Sequence, residues 1–194
     1  YSLGNGLGNG LDNNWYLDGN NASVVSSDGN KTTVQMGSGY RGDLWLARSG
    51  KGKIVNVTPA DYRYFAIKVG FKSQLVPGKN KPNGCIKLEI FDDGIKKIGP
   101  EYFGTGGDAN NRYEILGASE ISTTEPNVLY YDLQSKYKTV TPTDWNQVFD
   151  LVQCKFVIAD FPETAQTYDL YWIRSFKSIE ELQAFVDSEN NTNE

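Results

Sequence analysis

The sequence consists mainly of short stretches in which apolar and polar residues alternate, and these stretches end at turn residues. Residues 64–71 are typical, because every second position is apolar: Phe65, Ile67, Val69 and Phe71. Alternation of this kind places one set of side chains on one face of a β-strand and leaves Tyr64 and Lys68 on the other face. The segment 28–30 (Asp-Gly-Asn) is typical of a hairpin turn. About eight to ten strands without a long helix between them predict an all-β fold, an antiparallel jelly-roll sandwich.

The alternation ends close to residue 178. Ser178 and Glu181 are spaced as in a capping box. Apolar residues then recur at helical spacing: Ile179, Leu182, Phe185 and Val186. This predicts a short C-terminal helix over residues 179–188. We expect a flexible Gly/Asn-rich segment over residues 1–14, a single β-sandwich domain over residues 15–187 and a polar tail over residues 188–194 that frays.

The charge and the composition exclude several classes of function. The net charge is −5 and the basic residues are spread along the chain, whereas a nucleic-acid-binding domain needs a basic stripe. No apolar run approaches the roughly 18 residues of a membrane span. The sequence contains no histidine, which removes every mechanism that uses a histidine as base or metal ligand.

Aromatic residues are abundant, with four Trp, twelve Tyr and nine Phe. Several of them occupy positions that the alternation points away from the core, beside Asn, Gly, Asp and Arg. A flat ring covers the apolar face of a pyranose, and neighbouring polar groups bond its hydroxyls. The pattern therefore predicts a protein that binds carbohydrate without cleaving it.

Trp45 is the clearest of these positions, because Leu44 and Leu46 beside it share the inward face. It is either a stacking platform or a ring covered by a loop or by the terminal helix, and the same alternatives apply to Trp145 in its polar loop. Trp172 lies in a strand that is apolar on both faces, and we expect it in the core. The predicted carbohydrate-binding residues are Trp45, Tyr40, Arg41, Trp145, Tyr64, Tyr102, Asp108, Asn110 and Asn111.

The C-terminal part of the sequence resembles a known family. Residues 156–160 (FVIAD), residues 168–176 (YDLYWIRSF) and the helix capped by Ser178 carry the resemblance. These segments resemble the C-terminal β-sandwich domain of surface glycan-binding lipoproteins of gut-bacterial Sus-type systems, and also xylanase-associated modules. That domain is similar to the galactose-binding-like jelly roll of many carbohydrate-binding modules. The resemblance implies a domain that binds polysaccharide and does not cleave it.

The resemblance also implies a setting and a metal ion. It implies an extracellular domain on a bacterial cell surface, part of a larger multidomain protein anchored to the outer membrane through sequence upstream of Tyr1. Many jelly-roll modules hold a structural calcium ion near their first and last strands, and Asp18 and Asp169 are the candidate ligands in this sequence. No loop of the Asp-x-Asp-x-Asp kind supports this site, and no other pattern requires a cofactor.

Two other classes of function compete with carbohydrate binding: an enzyme, and a structural or protein-interaction domain. A glycosidase needs two carboxylates about 5–10 Å apart, but Glu89 alternates with Lys87 as on an ordinary solvated face. A polysaccharide lyase that uses Tyr, Arg or Lys is compatible with the composition. A structural spacer or protein-interaction domain is the stronger alternative, and it predicts outward aromatic residues that are scattered or covered. Carbohydrate binding predicts two or three of them on one concave face or loop rim.

Overall fold

The structure is a computed structural model, and it describes residues 2, 15–18, 22–38, 42–46, 55–57, 61–73, 86–91, 102–103, 113–133, 149–158 and 164–192. In the ranges 15–18, 42–46, 55–57, 86–91, 102–103 and 149–158 it describes the backbone, together with the side chains of Leu17, Leu88 and Phe156.

Twelve strands and one helix lie in these described ranges. They are β1 (Trp15–Asp18), β2 (Ala22–Ser27), β3 (Thr32–Met36), β4 (Gly42–Leu46), β5 (Val55–Val57), β6 (Tyr64–Phe71), β7 (Ile86–Phe91), β8 (Tyr102–Phe103), β9 (Glu114–Ile115), β10 (Asn127–Asp132), β11 (Phe149–Ile158), β12 (Gln166–Phe176) and α1 (Ile179–Thr192). The count exceeds the expected eight to ten because strands of two or three residues are too short to show alternation.

The strands form two six-stranded sheets. Sheet I has the order β1-β4-β11-β7-β8, and β5 pairs with β11; sheet II has the order β2-β3-β12-β6-β10-β9. Every strand pairing is antiparallel. The chain passes repeatedly from one sheet to the other, as in a jelly roll, so the predicted fold class is confirmed: an antiparallel β-sandwich with a short C-terminal helix.

The core between the sheets is built by the predicted alternation. Ile67, Val69 and Phe71 of β6 are buried on the inner face of sheet II. Phe156 of β11 is fully buried, and its ring centroid lies 5.5 Å from that of Phe65 and 5.8 Å from that of Tyr131. Because Phe156 belongs to sheet I and its two partners belong to sheet II, this aromatic cluster joins the two sheets.

Part of the outer face of sheet II is covered by α1. Leu182 of α1 is fully buried in a cluster with four residues of the sheet. These are Ala66, Val128, Trp172 and Phe176. The expected outward positions Tyr64 and Lys68 do lie on this outer face, but both are half-buried rather than exposed to water. The predicted core position of Trp172 is confirmed, since its side chain is 5% exposed.

The predicted helix start is confirmed in detail. The Glu181 backbone N–H donates to Ser178 Oγ at 3.1 Å, and the Lys177 backbone N–H donates to Glu181 Oε2 at 2.6 Å. The first bond is that of a capping box, and the second reaches the N–H of the residue just before the N-cap. The helix continues to Thr192, four residues beyond the predicted end at residue 188. No helix in the described part of the chain is long and apolar enough to cross a bilayer.

Candidate functional site

Most of the predicted carbohydrate-binding residues lie outside the described residues: Tyr40, Arg41, Asp108, Asn110, Asn111 and Trp145. The backbones of Trp45 and Tyr102 are described, on β4 and β8 of sheet I. Trp45 is the register partner of Lys155, whereas Tyr102 is the partner of Leu88, which in turn pairs with Phe156. The register therefore places Trp45 and Tyr102 in different rows of sheet I.

Tyr64 is described in full. Its ring packs edge-on against Tyr130 with centroids 6.1 Å apart, and the Arg63 guanidinium lies 5.3 Å from its ring centroid. The ring belongs to the apolar cluster beneath α1. This placement stabilises the attachment of the helix to the sheet, because aromatic pairs and cation–π contacts add to area burial.

Asp169, predicted as a metal ligand, is the buried centre of an ionic cluster. Its side chain is 2% exposed. Its Oδ2 atom lies 2.8 Å from Lys31 Nζ and 2.8 Å from Lys72 Nζ, and Thr33 Oγ1 donates to Oδ1 at 2.7 Å. Burial alone would raise the pKa of Asp169, but the hydrogen bonds from these three donors outweigh it and lower the pKa.

The second predicted ligand, Asp18, lies on β1 in the other sheet, with Asp43 as its register partner. The described residues contain no group of three or more carboxylate, thiol or imidazole side chains that could hold a metal ion. Around Asp169 the positive charge comes from two lysines. Calcium binding that involves Asp18 stays a prediction.

A cleft of about 590 Å³ opens on the outer face of sheet II beside α1. Its floor is formed by side chains of β6 and β12: Lys68, Tyr171, Trp172 and Arg174. One wall is the C-terminal half of α1, and its lining residues are Phe185, Ser188, Glu189 and Thr192. The opposite side is lined by Gly29 and Asn30, from the turn between β2 and β3, and by Ser2.

A β-bulge in β12 shapes the floor of the cleft. Leu170 pairs with Val69 and Trp172 pairs with Lys68, which leaves Tyr171 as the extra residue. In a regular strand two consecutive residues would face opposite sides of the sheet. Here Tyr171 and Trp172 both pack on the helix-side cluster and both line the cleft, because a bulge changes the direction of a side chain.

Glu189 connects α1 to the floor of the cleft. Its Oε2 atom accepts hydrogen bonds from Trp172 Nε1 at 3.0 Å and from Lys68 Nζ at 3.1 Å. The Lys68 ammonium also lies 5.4 Å from the Tyr171 ring centroid. The last helical turns are thereby held against the sheet by a partly buried ion pair, which explains why the helix continues through the polar residues after 188.

Arg174 lies at the edge of the floor. Its guanidinium carbon is 4.2 Å from the Phe185 ring centroid and 6.0 Å from that of Phe176. The side chain is exposed, and in the described part of the chain it makes no ion pair with a carboxylate. A guanidinium stacked on a ring keeps its N–H donors at its edge, directed away from the ring.

The turn on the opposite side is the predicted hairpin turn. The backbone N–H groups of Asn30 and Lys31 both donate to Asp28 Oδ1 at 2.9 Å, and Gly29 has a φ of 91°. These hydrogen bonds lower the pKa of Asp28. The ion pair between Lys31 and Asp169 anchors this turn to β12, two residues before Tyr171, and its hydrogen bond raises the pKa of Lys31.

Sequence reasoning did not select the residues that form this cleft. The sequence pattern places Lys68 on an outward face and Trp172 in the core. It gives no site role to Tyr171, Arg174 or Glu189. The available signal was the strand over residues 168–176, in which an arginine interrupts an aromatic run. The bulge, and the return of Glu189 to the sheet, have no sequence pattern of their own.

A family model described as a domain of unknown function, DUF4979, matches residues 7–182. The chain belongs to the DUF4979 family. No curated protein matches this DUF4979 domain.

One solved structure resembling the domain is described as "Structural basis for the promiscuous specificity of the carbohydrate-binding modules from the beta-sandwich super family". The identity is 12% and the TM-score is 0.44, over 86% of this chain and 58% of that one. The chain thus spans somewhat more than half the length of that structure.

Proposed function

We propose that this DUF4979 domain is a non-catalytic carbohydrate-binding module and that the cleft beside α1 is its binding site. The observation that carries the proposal is the β12 bulge, which brings the half-buried Tyr171 ring to the floor of an open, polar cleft, beside the buried Trp172. An aromatic ring offers the apolar face of a sugar a flat contact, and polar groups around it bond the hydroxyls. Aromatic and polar groups that converge in one cavity are typical of ligand sites.

The polar groups of the wall support the same proposal. Ser188 Oγ donates to the Phe185 carbonyl and Thr192 Oγ1 donates to the Ser188 carbonyl, each at 2.7 Å. With their protons committed, both hydroxyl oxygens remain available as acceptors. The last carbonyls of a helix also lack intrahelical partners, so this end of α1 offers acceptors for sugar hydroxyl donors.

The arrangement of carboxylates favours binding without cleavage. Glycosidases use two carboxylates that flank the scissile bond. Among the described residues that line the cleft, Glu189 is the single carboxylate, and it accepts hydrogen bonds from Lys68 and Trp172. These contacts suit a positioning role for Glu189 better than a role as acid or nucleophile.

We further propose that the domain works outside the cell, on a bacterial surface, as part of a larger glycan-capture protein of the Sus type. An open cleft with one partly exposed ring on its floor favours modest affinity, on the order of 4–8 kcal/mol or a millimolar to micromolar Kd. Useful retention of a polysaccharide would then come from several modules in one protein acting together.

Affinity electrophoresis tests the binding function. At least one of six gels should retard the wild-type domain without release of reducing sugar. Each gel contains one polysaccharide: xylan, β-glucan, mannan, starch, arabinan or pectin. Tyr171→Ala should weaken that binding about tenfold, because stacking on the ring is lost. The control is Tyr62→Ala, which removes an exposed tyrosine that does not line the cleft and should leave the mobility unchanged.

A domain that no glycan retards would contradict the proposal. A protein-interaction role would then be favoured by one specific feature, the apolar surface of β2. Val24 and Val25 are 45% and 58% exposed, on the strand that ends sheet II within the described part of the chain. Exposed apolar residues at the edge of a sheet are typical of contacts with another chain.

A further inference from the structure

Arg63, just before β6, and Arg174, on β12, differ in their partners. Arg63 donates from Nε and Nη2 to the two oxygens of Asp132 at 2.7 and 2.6 Å, the bidentate geometry that a guanidinium prefers. Arg174 has no such carboxylate among the described residues. Its guanidinium carbon lies 4.2 Å from the Phe185 ring centroid at the rim of the cleft, a cation–π contact that restrains the side chain before a ligand arrives.

The charges around the cleft are unbalanced. Lys68 is matched by Glu189 at 3.1 Å, whereas Arg174 on the same floor is unmatched in the described part of the chain. Close to the turn that lines the opposite side, Lys31 and Lys72 share the single carboxylate of Asp169. Asp28, on that turn, directs one carboxylate oxygen to the backbone N–H groups of its own turn. Among the described residues that line the cleft, Lys68 and Arg174 are positive and Glu189 is negative, so the lining carries one net positive charge in a chain whose net charge is −5.

We propose that the cleft binds glycans whose sugars carry a carboxylate, that is hexuronate residues, with Arg174 as the group that pairs with it. This inference rests on the carbohydrate-binding function proposed above. A planar guanidinium fork matches a planar carboxylate in two parallel hydrogen bonds, and a stacked guanidinium loses little freedom when it binds. The aromatic floor beside it contacts the ring of the same sugar or of the next one.

The test compares each acidic glycan with its carboxyl-reduced form, in which the same backbone carries a CH₂OH group in place of the carboxylate. The probes are polygalacturonate, glucuronoxylan and alginate, and binding is measured by isothermal titration calorimetry. Reduction of the carboxylates should weaken binding at least tenfold, because a hydrogen-bonded ion pair is lost. Arg174→Gln should weaken binding of the native glycan similarly and should weaken binding of the reduced form much less, because the reduced form has no carboxylate to pair with the guanidinium.

Two further variants separate geometry from charge. Arg174→Lys keeps the charge but loses the bidentate fork, so we expect an affinity between those of the wild type and Arg174→Gln. Lys177→Gln removes an equal charge three residues away, where the ammonium lies over the Tyr62 ring outside the cleft. It should bind every probe like the wild type. Thermal unfolding of each variant confirms that the fold is retained.

The outcomes distinguish this inference from the function on which it rests. Equal binding of the native and reduced forms, or binding of neutral glycans alone, would overturn the selection of carboxylates and leave carbohydrate binding in place. Equal binding of dextran sulfate and of the hexuronate polymers would show attraction by charge alone and would also overturn it. Failure to bind any glycan, acidic or neutral, would overturn both.

Discussion

At the scale of single residues, Asp169 shows how a buried charge can connect distant parts of a fold. Its carboxylate accepts hydrogen bonds from Lys31 and Thr33 on the β3 side and is paired with Lys72 just after β6. A carboxylate that is almost completely buried is stable only when it is paired and hydrogen-bonded. The same contacts hold the β2–β3 turn beside the floor of the cleft.

Asp169→Asn is expected to lower the free energy of unfolding by about 3 kcal/mol at pH 7. This value is at the lower end of the range for breaking a buried ion pair, because both lysine partners are partly exposed to water. The pKa of Asp169 is lowered in the folded state from its usual 3.8. The contribution of Asp169 to the free energy of unfolding is therefore present above pH 3.8, and it is lost as the pH falls through the lower pKa of the folded state. Urea unfolding of the wild type and of Asp169→Asn should show a constant difference in the free energy of unfolding at neutral pH. That difference should shrink below about pH 4.

The control is Asp187→Asn, which changes an exposed carboxylate that accepts a hydrogen bond from Gln183 within the helix. It should alter the stability by less than about 0.5 kcal/mol. A difference between wild type and Asp169→Asn that does not change with pH would show that the charge of Asp169 contributes nothing to the fold.

At the scale of elements, α1 acts as a third layer over sheet II. Trp172 packs edge-on against Phe185 and Phe176, with centroids 5.2 and 6.2 Å apart, and Leu182 fills the centre of this cluster. A helix of 14 residues is marginal in water by itself, so its stability comes from this packing. The helix in turn provides one wall of the cleft.

Leu182→Ala should destabilise the domain by about 3 kcal/mol, because it removes a fully buried side chain and leaves a cavity beneath the helix. The neighbouring substitution Gln183→Ala changes an exposed residue of the same helix and should have almost no effect. Both are measured by urea unfolding followed by circular dichroism. Equal stability of the two variants would mean that the helix is not part of the cooperative fold.

At the scale of the whole molecule, the two sheets share one core through Phe156, which lies between Phe65 and Tyr131. The helix lies on the opposite side of sheet II from this contact. Sheet II is thus covered on both faces, by sheet I and by α1, as in other layered domains. We therefore expect sheets and helix to unfold together.

Thermal unfolding should show one transition, with the same midpoint for the helix signal at 222 nm and for tryptophan fluorescence. Phe156→Ala should lower both midpoints together by about 10 °C, since loss of a buried phenylalanine costs about 3–5 kcal/mol. Phe156→Leu keeps most of the volume and should lower them less. Separate midpoints for the two signals would show that α1 melts independently of the sandwich.

Local patterns were sufficient to predict the local structure. The alternation in β6, the hairpin turn at Asp28 and the capping box of Ser178 and Glu181 each depend on residues within a few positions of one another. For this reason the fold class and the start of the helix were predicted correctly. The candidate site was not predicted, because its residues come from the turn after β2, from β6, from β12 and from the end of α1.

The sequence by itself determined that this chain forms strands with one apolar face and ends in an amphipathic helix, since burial of apolar residues follows the period of each element. The tertiary structure alone decided which sheet face the helix covers and where β12 gains its extra residue. It also decided the pairing of Glu189 with Lys68 and of Asp169 with Lys31, across 121 and 138 residues. Those choices depend on the packing of segments far apart in the chain, and they create the cleft.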